Sequence, residues 1–193
     1  SLELHHGPSY EQTIMLITTQ YVDIPADGNP MRTFVAAPKQ EGKYPGILFY
    51  SDIFQLTGPM ISATMRFAGY GFVVAAPEIF HRVEPAGTVI PFDDEGKTRG
   101  SAGAAQTLVA EFDADCRTML DYLDRHPSVQ KGKLGAGGFC IGAHLAFRAA
   151  LQPEVLATVS FYGTGIHNGK LGKDDDAGSL ERASEIRGEL LMV

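Results

Sequence analysis

The 193-residue sequence has no tryptophan, only two cysteines and no apolar run long enough to span a membrane or form a signal peptide. Two cysteines cannot build the disulfide framework of a small secreted domain, so we expect a reducing, cytoplasmic location. Positive charge is also scarce. The 16 Lys and Arg against 23 Asp and Glu give a formal net charge of -7, which argues against nucleic acid and membranes as partners.

Clusters of metal-binding side chains are also lacking. The acidic run 174–176 is the one candidate, but adjacent carboxylates point in different directions and lack the spacing of a calcium loop. We expect a solvated charge run there, and we predict no metal and no organic cofactor.

The periodicity of hydrophobic residues predicts alternating strands and helices. Residues 21–24 and 32–36 flank a turn rich in Pro and Gly, which is typical of an antiparallel hairpin at a sheet edge. Residues 46–50 and 71–76 are unbroken apolar runs, as in strands buried on both faces, and residues 60–68 between them have helical spacing. This pattern predicts an α/β fold with a mostly parallel central sheet, helices on both faces and an antiparallel N-terminal edge.

The second half of the chain continues the alternation. Residues 84–103 contain several Gly and Pro and no apolar period, so we expect a long loop that forms a lid or pocket wall. An amphipathic helix is predicted at 108–123, a buried strand at 156–162, a short helix at 179–186 and the start of a strand at 189–193.

The segment Gly138-Phe139-Cys140-Ile141-Gly142 has the Gly-x-Cys-x-Gly pattern of a sharp turn between a strand and a helix. Such a turn holds its central residue in a strained conformation, and the flanking glycines avoid collisions with the helix and the neighbouring strand. Cys140 would lie at a helix N-terminus, where the dipole favours the thiolate. We therefore predict that Cys140 is a nucleophile.

Several residues near this turn also allow other interpretations. Cys140 could be a small buried apolar residue, which is what we expect of Cys116 in the middle of a helix face. His144, one turn after Cys140, is expected to be buried with a structural hydrogen bond. Gly135 and Gly137 begin a dinucleotide-binding fingerprint, but its third glycine would fall on Cys140 and no acid ends the next strand.

Three segments together resemble the dienelactone hydrolase family of α/β-hydrolases. They are Tyr-Ser-Asp-Ile-Phe at 50–54, Ala-Pro-Glu-Ile-Phe-His-Arg at 76–82 and the Gly-x-Cys-x-Gly turn at 138–142. Each follows a predicted parallel strand, which is where open α/β sheets place their sites.

The resemblance implies roles for individual residues. Cys140 would be the nucleophile, and the backbone N–H groups of Ile53 and Ile141 would form its oxyanion hole. Arg82 would hold a substrate carboxylate. Asp52 occupies the position of a family glutamate that contacts the thiol, but its side chain is one methylene shorter. On the residues alone, we would interpret Arg82 as a surface salt-bridge partner and Asp52 as a cap or turn residue.

Two points stay open. His81 is adjacent to Arg82. The sequence is equally compatible with His81 lining the substrate pocket and with His81 having no functional role. The acid and the histidine of the family's triad would fall after Val193, so we expect residues 1–193 to be a single α/β-hydrolase domain that lacks its C-terminal part. A non-catalytic, ligand-binding or thiol-sensing homologue is the alternative.

The expected activity is that of a carboxymethylenebutenolidase-like carboxylic-ester hydrolase, which would open small lactones or esters through an acyl-enzyme on Cys140. The expected partner is a small-molecule substrate that carries a carboxylate. For assembly, we expect a monomer or a small homo-oligomer.

Overall fold

The computed structural model describes residues 14–174 and 176–193, and within these ranges it forms one seven-stranded sheet flanked by helices. The elements in chain order are β1 (Ile17–Ile24), β2 (Met31–Pro38), β3 (Tyr44–Tyr50), α1 (Gly58–Gly69), β4 (Val73–Pro77), α2 (Asp94–Ala104), α3 (Val109–Arg125), β5 (Val129–Phe139), α4 (Ile141–Ala149), β6 (Val155–Phe161) and β7 (Glu189–Met192). Short 3-10 turns lie at Ile166–Asn168 and Ala183–Glu185.

The strand order is β1-β2-β4-β3-β5-β6-β7. The β1–β2 hairpin is antiparallel, and β2 pairs antiparallel with β4. From β4 to β7 all neighbours are parallel. The predicted α/β class, with a mostly parallel sheet and an antiparallel N-terminal edge, is confirmed.

Strand β4 shows how the two faces of the sheet are covered. Successive side chains of a strand point to opposite faces. Val73 and Ala75 belong to a buried cluster with α3 and α4, whereas Val74 and Ala76 pack in a second cluster with α1. Helices therefore cover both faces, which explains the unbroken apolar run in this strand. Among the described residues, no helix is both long and apolar enough to cross a membrane.

The prediction of a loop over 84–103 is wrong for its second half, where α2 lies. Asp93 caps this helix, because its carboxylate accepts the Gly96 N–H at 2.7 Å. The packing stripe consists of Gly96, Gly100 and Gly103, all of them buried. Glycines at these positions let neighbouring backbone approach closely, and they leave no apolar period in the sequence.

The short helix predicted at 179–186 is only a 3-10 turn at Ala183–Glu185. Its hydrogen bonds run from residue i+3 to residue i, as from Ile186 to Ala183 at 3.2 Å. Ile186 is already extended, because the chain must turn into β7 within a few residues.

Candidate active site

Cys140 is the single residue between the end of β5 and the start of α4, and its backbone has φ 57° and ψ -117°. Its N–H donates to the Phe161 carbonyl at 3.1 Å, and its carbonyl accepts the Thr164 N–H at 3.3 Å. A left-handed conformation of this kind costs a non-glycine residue roughly 1–3 kcal/mol and persists only where the surroundings enforce it. The predicted strained turn is therefore present.

The two glycines of the turn are required by backbone contacts. A Cβ on Gly138 would lie 2.3 Å from the Gly142 carbonyl oxygen, and a Cβ on Gly142 would lie 2.1 Å from the Ser51 carbonyl oxygen. No side chain fits either position without moving backbone. The start of α4 thus packs closely against the end of β3. This packing brings Cys140 beside the loop that follows β3.

A cavity of about 760 Å³ opens at this junction, and Cys140 lines it together with Ile53 and Ile141. The Cys140 thiol is free and partly exposed. The remaining lining residues come from α2 and its end (Lys97, Ser101, Ala104, Ala105) and from the loop after β6 (Thr164, Lys170, Leu171, Gly172, Asp174). The cavity can therefore admit a small molecule to the sulfur.

Ile53 and Ile141, which line the cavity with Cys140, each carry a backbone donor. Within the described part of the chain, neither the Ile53 N–H nor the Ile141 N–H donates to another protein group. Ile141 is the first residue of α4, whose initial N–H groups have no acceptor inside the helix. Both groups can serve a ligand oxygen in the cavity.

Asp52 lies next to Ile53 but does not line this cavity. Its Oδ1 accepts the Phe54 N–H at 2.8 Å, which is a turn contact. Burial raises the pKa of the Asp52 carboxyl, although the Phe54 hydrogen bond works in the opposite direction. Its predicted contact with the thiol is not among the hydrogen bonds of the described residues, so this role stays a prediction.

Tyr162 was not singled out from the sequence, although it directly follows β6 at the carboxyl end of the sheet. Its backbone has φ 42°, and its ring stacks on Phe139 with the centroids 5.8 Å apart. Partial burial and the electrostatic effects of Asp52 and Cys140 raise the pKa of its phenol. Tyr162 therefore lies within electrostatic range of both Asp52 and Cys140.

Arg82 and His81 lie outside the set of residues that line the cavity. The Arg82 guanidinium grips Asp115 on α3 with two hydrogen bonds, the longer of them 2.8 Å. His81 places Nε2 3.0 Å from the same carboxylate and Nδ1 2.7 Å from the Asn29 carbonyl oxygen. Burial alone would raise the pKa of Asp115, but the bonds from Arg82 and His81 bring it below its usual value. The carboxylate-binding role of Arg82 stays a prediction, as does a pocket role for His81.

His144 and Cys116 occupy the buried positions expected of them. His144 is fully buried, with Nδ1 2.8 Å from the Thr164 carbonyl oxygen and Nε2 2.7 Å from Ser179 Oγ. Burial lowers its pKa to about 4, so the ring is neutral at physiological pH. Burial likewise raises the pKa of the Cys116 thiol to about 12, which leaves that cysteine unreactive.

No cluster of three or more His, Cys, Asp or Glu able to hold a metal occurs in 14–174 and 176–193. In the acidic run, Asp174 accepts the Val109 N–H at 2.6 Å and Asp176 accepts the Gly178 N–H at 2.8 Å. Position 175, the middle of that run, lies outside the described residues.

Comparison with known families identifies the family of this chain. Residues 31–179 match the model of the dienelactone hydrolase family. The chain belongs to the dienelactone hydrolase family. A Saccharomyces cerevisiae protein named "putative carboxymethylenebutenolidase" is 35% identical over 179 residues, which cover 90% of this chain and 65% of that protein.

Two further dienelactone hydrolase relatives are informative. The carboxymethylenebutenolidase of Pseudomonas putida is 26% identical over 145 residues, covering 72% of this chain and 58% of the relative. The dienelactone hydrolase-like promiscuous phosphotriesterase P91 from metagenomic libraries superimposes with a TM-score of 0.70 at 22% identity, covering 91% of this chain and 67% of that one. The fold is therefore that of a dienelactone hydrolase. The chain spans less than two thirds of the length of the S. cerevisiae and P. putida proteins.

Proposed function

We propose that this protein hydrolyses small lactones or carboxylic esters, with the Cys140 thiolate as nucleophile. The observation that carries the proposal is that the strained, partly exposed Cys140 lines one cavity with Ile53 and Ile141, whose N–H groups donate to no other group among the described residues. Membership of the dienelactone hydrolase family supports the hydrolytic activity. The name carboxymethylenebutenolidase, borne by the relatives, supports a lactone with a carboxylate as the substrate class.

In the proposed reaction, the Cys140 sulfur bonds to the substrate's carbonyl carbon, and the carbonyl electron pair moves onto its oxygen. The N–H groups of Ile53 and Ile141 bind that oxyanion, and a donor of this kind lowers the barrier by roughly 3 kcal/mol. When the oxyanion collapses, the ring C–O bond breaks and the leaving oxygen takes the proton that Asp52 removed from the thiol. An acyl-enzyme on sulfur results. Water then attacks its carbonyl carbon and gives one proton to Asp52, the C–S bond breaks, and the acid is released with the thiolate restored.

The start of α4 favours the thiolate once it forms, because the helix dipole stabilises negative charge at its N-terminus. Asp52 is proposed to take the thiol proton when substrate arrives. Its burial raises the pKa of the carboxyl, which makes the carboxylate a better base than an exposed aspartate. A bridging water or a small shift of the loop would compensate for the short side chain.

The test is to follow hydrolysis of 4-nitrophenyl acetate and of a neutral six-membered lactone, together with alkylation by iodoacetamide, in the wild type and two variants. Cys140→Ser should abolish turnover and remove the alkylated site. Cys116→Ala is the matched control and should keep both, because the Cys116 thiol is buried and protonated.

Each alternative outcome contradicts part of the proposal. Alkylation of Cys140 without any turnover would refute the hydrolase and support the thiol-sensing homologue. Absence of alkylation at Cys140 would show that the sulfur is not presented to the cavity at all.

A further inference from the structure

The guanidinium of Arg82 is already occupied by a carboxylate of the protein itself. Its partner Asp115 is buried, and both of its oxygens accept from Arg82. Turning Arg82 toward a substrate would leave that buried carboxylate without its arginine, which is a costly exchange. The cationic side chains that do line the cavity are Lys97 and Lys170.

Lys97 is held at the cavity by the packing of α2. Gly100 fits so closely that a Cβ there would lie 2.4 Å from the Ile53 carbonyl oxygen. The helix thus packs on Ile53, which also lines the cavity. Residues i, i+4 and i+7 share one side of a helix, and Lys97, Ser101 and Ala104 at these positions all line the cavity.

Lys170 lines the cavity from a second segment, the loop after β6. Its N–H donates to the Gly165 carbonyl at 3.0 Å, which closes a tight turn. Gly165 has φ 74°, and a Cβ on it would lie 2.0 Å from the Lys170 carbonyl oxygen. The backbone of Lys170 is therefore fixed, while its side chain is exposed on the cavity side.

The charge of these two lysines is not neutralised locally. Among the described residues, neither ammonium group has a carboxylate within salt-bridge distance. The acid that shares the cavity wall, Asp174, accepts the Val109 N–H at the start of α3, where the helix dipole offsets its charge. In a chain of net charge -7, the cavity is thus a local positive site.

We infer that Lys97 and Lys170 bind the anionic group of the substrate, and that Arg82 is a structural residue that joins the loop after β4 to α3. The inference rests on the proposed function, because it takes the cavity at Cys140 as the substrate site. Lysine attracts an anion as a point charge, without the fixed two-bond geometry of arginine. The site should therefore accept substrates that carry the carboxylate at different distances from the ester.

The test compares alkylation of Cys140 by iodoacetate, which is anionic, with alkylation by neutral iodoacetamide. Site-specific rates are measured by peptide mass spectrometry in wild type, Lys97→Met, Lys170→Met, the double lysine variant and Arg82→Met. Lys133→Met is the matched control, because Lys133 is an exposed lysine of β5 that does not line the cavity.

Each cavity lysine should account for about a three-fold change in the iodoacetate to iodoacetamide rate ratio, the effect of one unit charge roughly 7 Å away in watery surroundings. The double variant should lose nearly ten-fold, and the control should keep the wild-type ratio. The differences should shrink in about 0.5 M NaCl, where the Debye length is only roughly 4 Å.

The outcomes separate this inference from the proposed function. An unchanged ratio in both cavity variants, with Cys140 still reactive, would overturn the lysine site and leave the nucleophile intact. If the iodoacetate to iodoacetamide rate ratio fell only in Arg82→Met, Arg82 would be the anion-binding residue, and the inferred lysine site would also be overturned. Failure of both reagents at Cys140 would instead refute the proposed function.

Discussion

Alanine normally stabilises a helix relative to glycine, but replacing Gly96 or Gly100 of α2 by alanine should destabilise the protein. A Cβ at Gly96 would lie 1.8 Å from the Pro91 carbonyl oxygen, and one at Gly100 would lie 2.4 Å from the Ile53 carbonyl oxygen. At Gly103 the nearest atoms belong to the Phe80 ring, 3.3 Å away. The three positions thus form a graded series, from backbone oxygens that must move by about 1 Å or more to a ring that must move by only a few tenths of an ångström.

The magnitudes follow from two opposing effects. Alanine in a helix interior is favoured over glycine by about 1 kcal/mol. At Gly100 the Ile53 carbonyl must retreat by about 1 Å to reach ordinary contact, and overpacking of this kind costs about 1–3 kcal/mol or more when backbone must move. We therefore expect Gly100→Ala to destabilise by roughly 1–2 kcal/mol and Gly96→Ala by more, while Gly103→Ala should stay within about 0.5 kcal/mol of wild type.

The measurement is urea unfolding, where a shift in midpoint at constant slope reports a change in the free energy of unfolding. Cys140 alkylation supplies a second readout, because Gly100→Ala displaces Ile53 and should alter the reactivity of the neighbouring thiol, whereas Gly103→Ala should not. If Gly100→Ala were as stable as wild type, or more so, the reasoning that seats α2 on the Ile53 carbonyl would be refuted.

Two further predictions concern buried ionisable groups. The pKa of His144 is about 4 in the folded protein. Since unfolded histidine titrates near 6.5, the wild type should lose up to about 3 kcal/mol of stability as pH falls from about 6.5 to 4, and His144→Gln should flatten that loss in urea titrations at several pH values. Asp115→Asn should destabilise by about 3 kcal/mol, because it removes the buried carboxylate that Arg82 and His81 share and leaves Arg82 only the more distant Glu111. Asp121→Asn, in an exposed pair with Arg125, should change stability by less than about 0.5 kcal/mol. Equal effects of the two substitutions on the free energy of unfolding would contradict the buried pairing.

The features that could be predicted from the sequence are those set by local chemistry. The turn at Cys140 is predictable because both glycines and the strand-to-helix change lie within a few residues of it. The β1–β2 hairpin and the buried parallel strands follow from the period of apolar residues and from the turn chemistry. Burial of His144 follows from its position one turn into α4.

The features that could not be predicted depend on partners distant in the chain. The sequence of α2 shows no apolar periodicity, because the residues on its packing face are glycines. Glycine is needed there because the Ile53 backbone lies so close to the helix. The engagement of Arg82 depends on Asp115, a carboxylate on the buried side of α3. Lys97 and Lys170 are unremarkable in the sequence, since only the fold brings α2 and the loop after β6 to one cavity.

At this site, backbone contacts and side chains have different roles. Gly142 fits against Ser51 and Gly100 against Ile53, so glycine contacts position the turn and the loop that offers the second N–H. Lys97 and Lys170 project into the same cavity from exposed positions and support no packing of that kind. Substitutions at these two lysines should therefore change which anion is attracted without moving the proposed oxyanion donors. Substitutions at the glycines should disturb the chemistry for every substrate, neutral or charged.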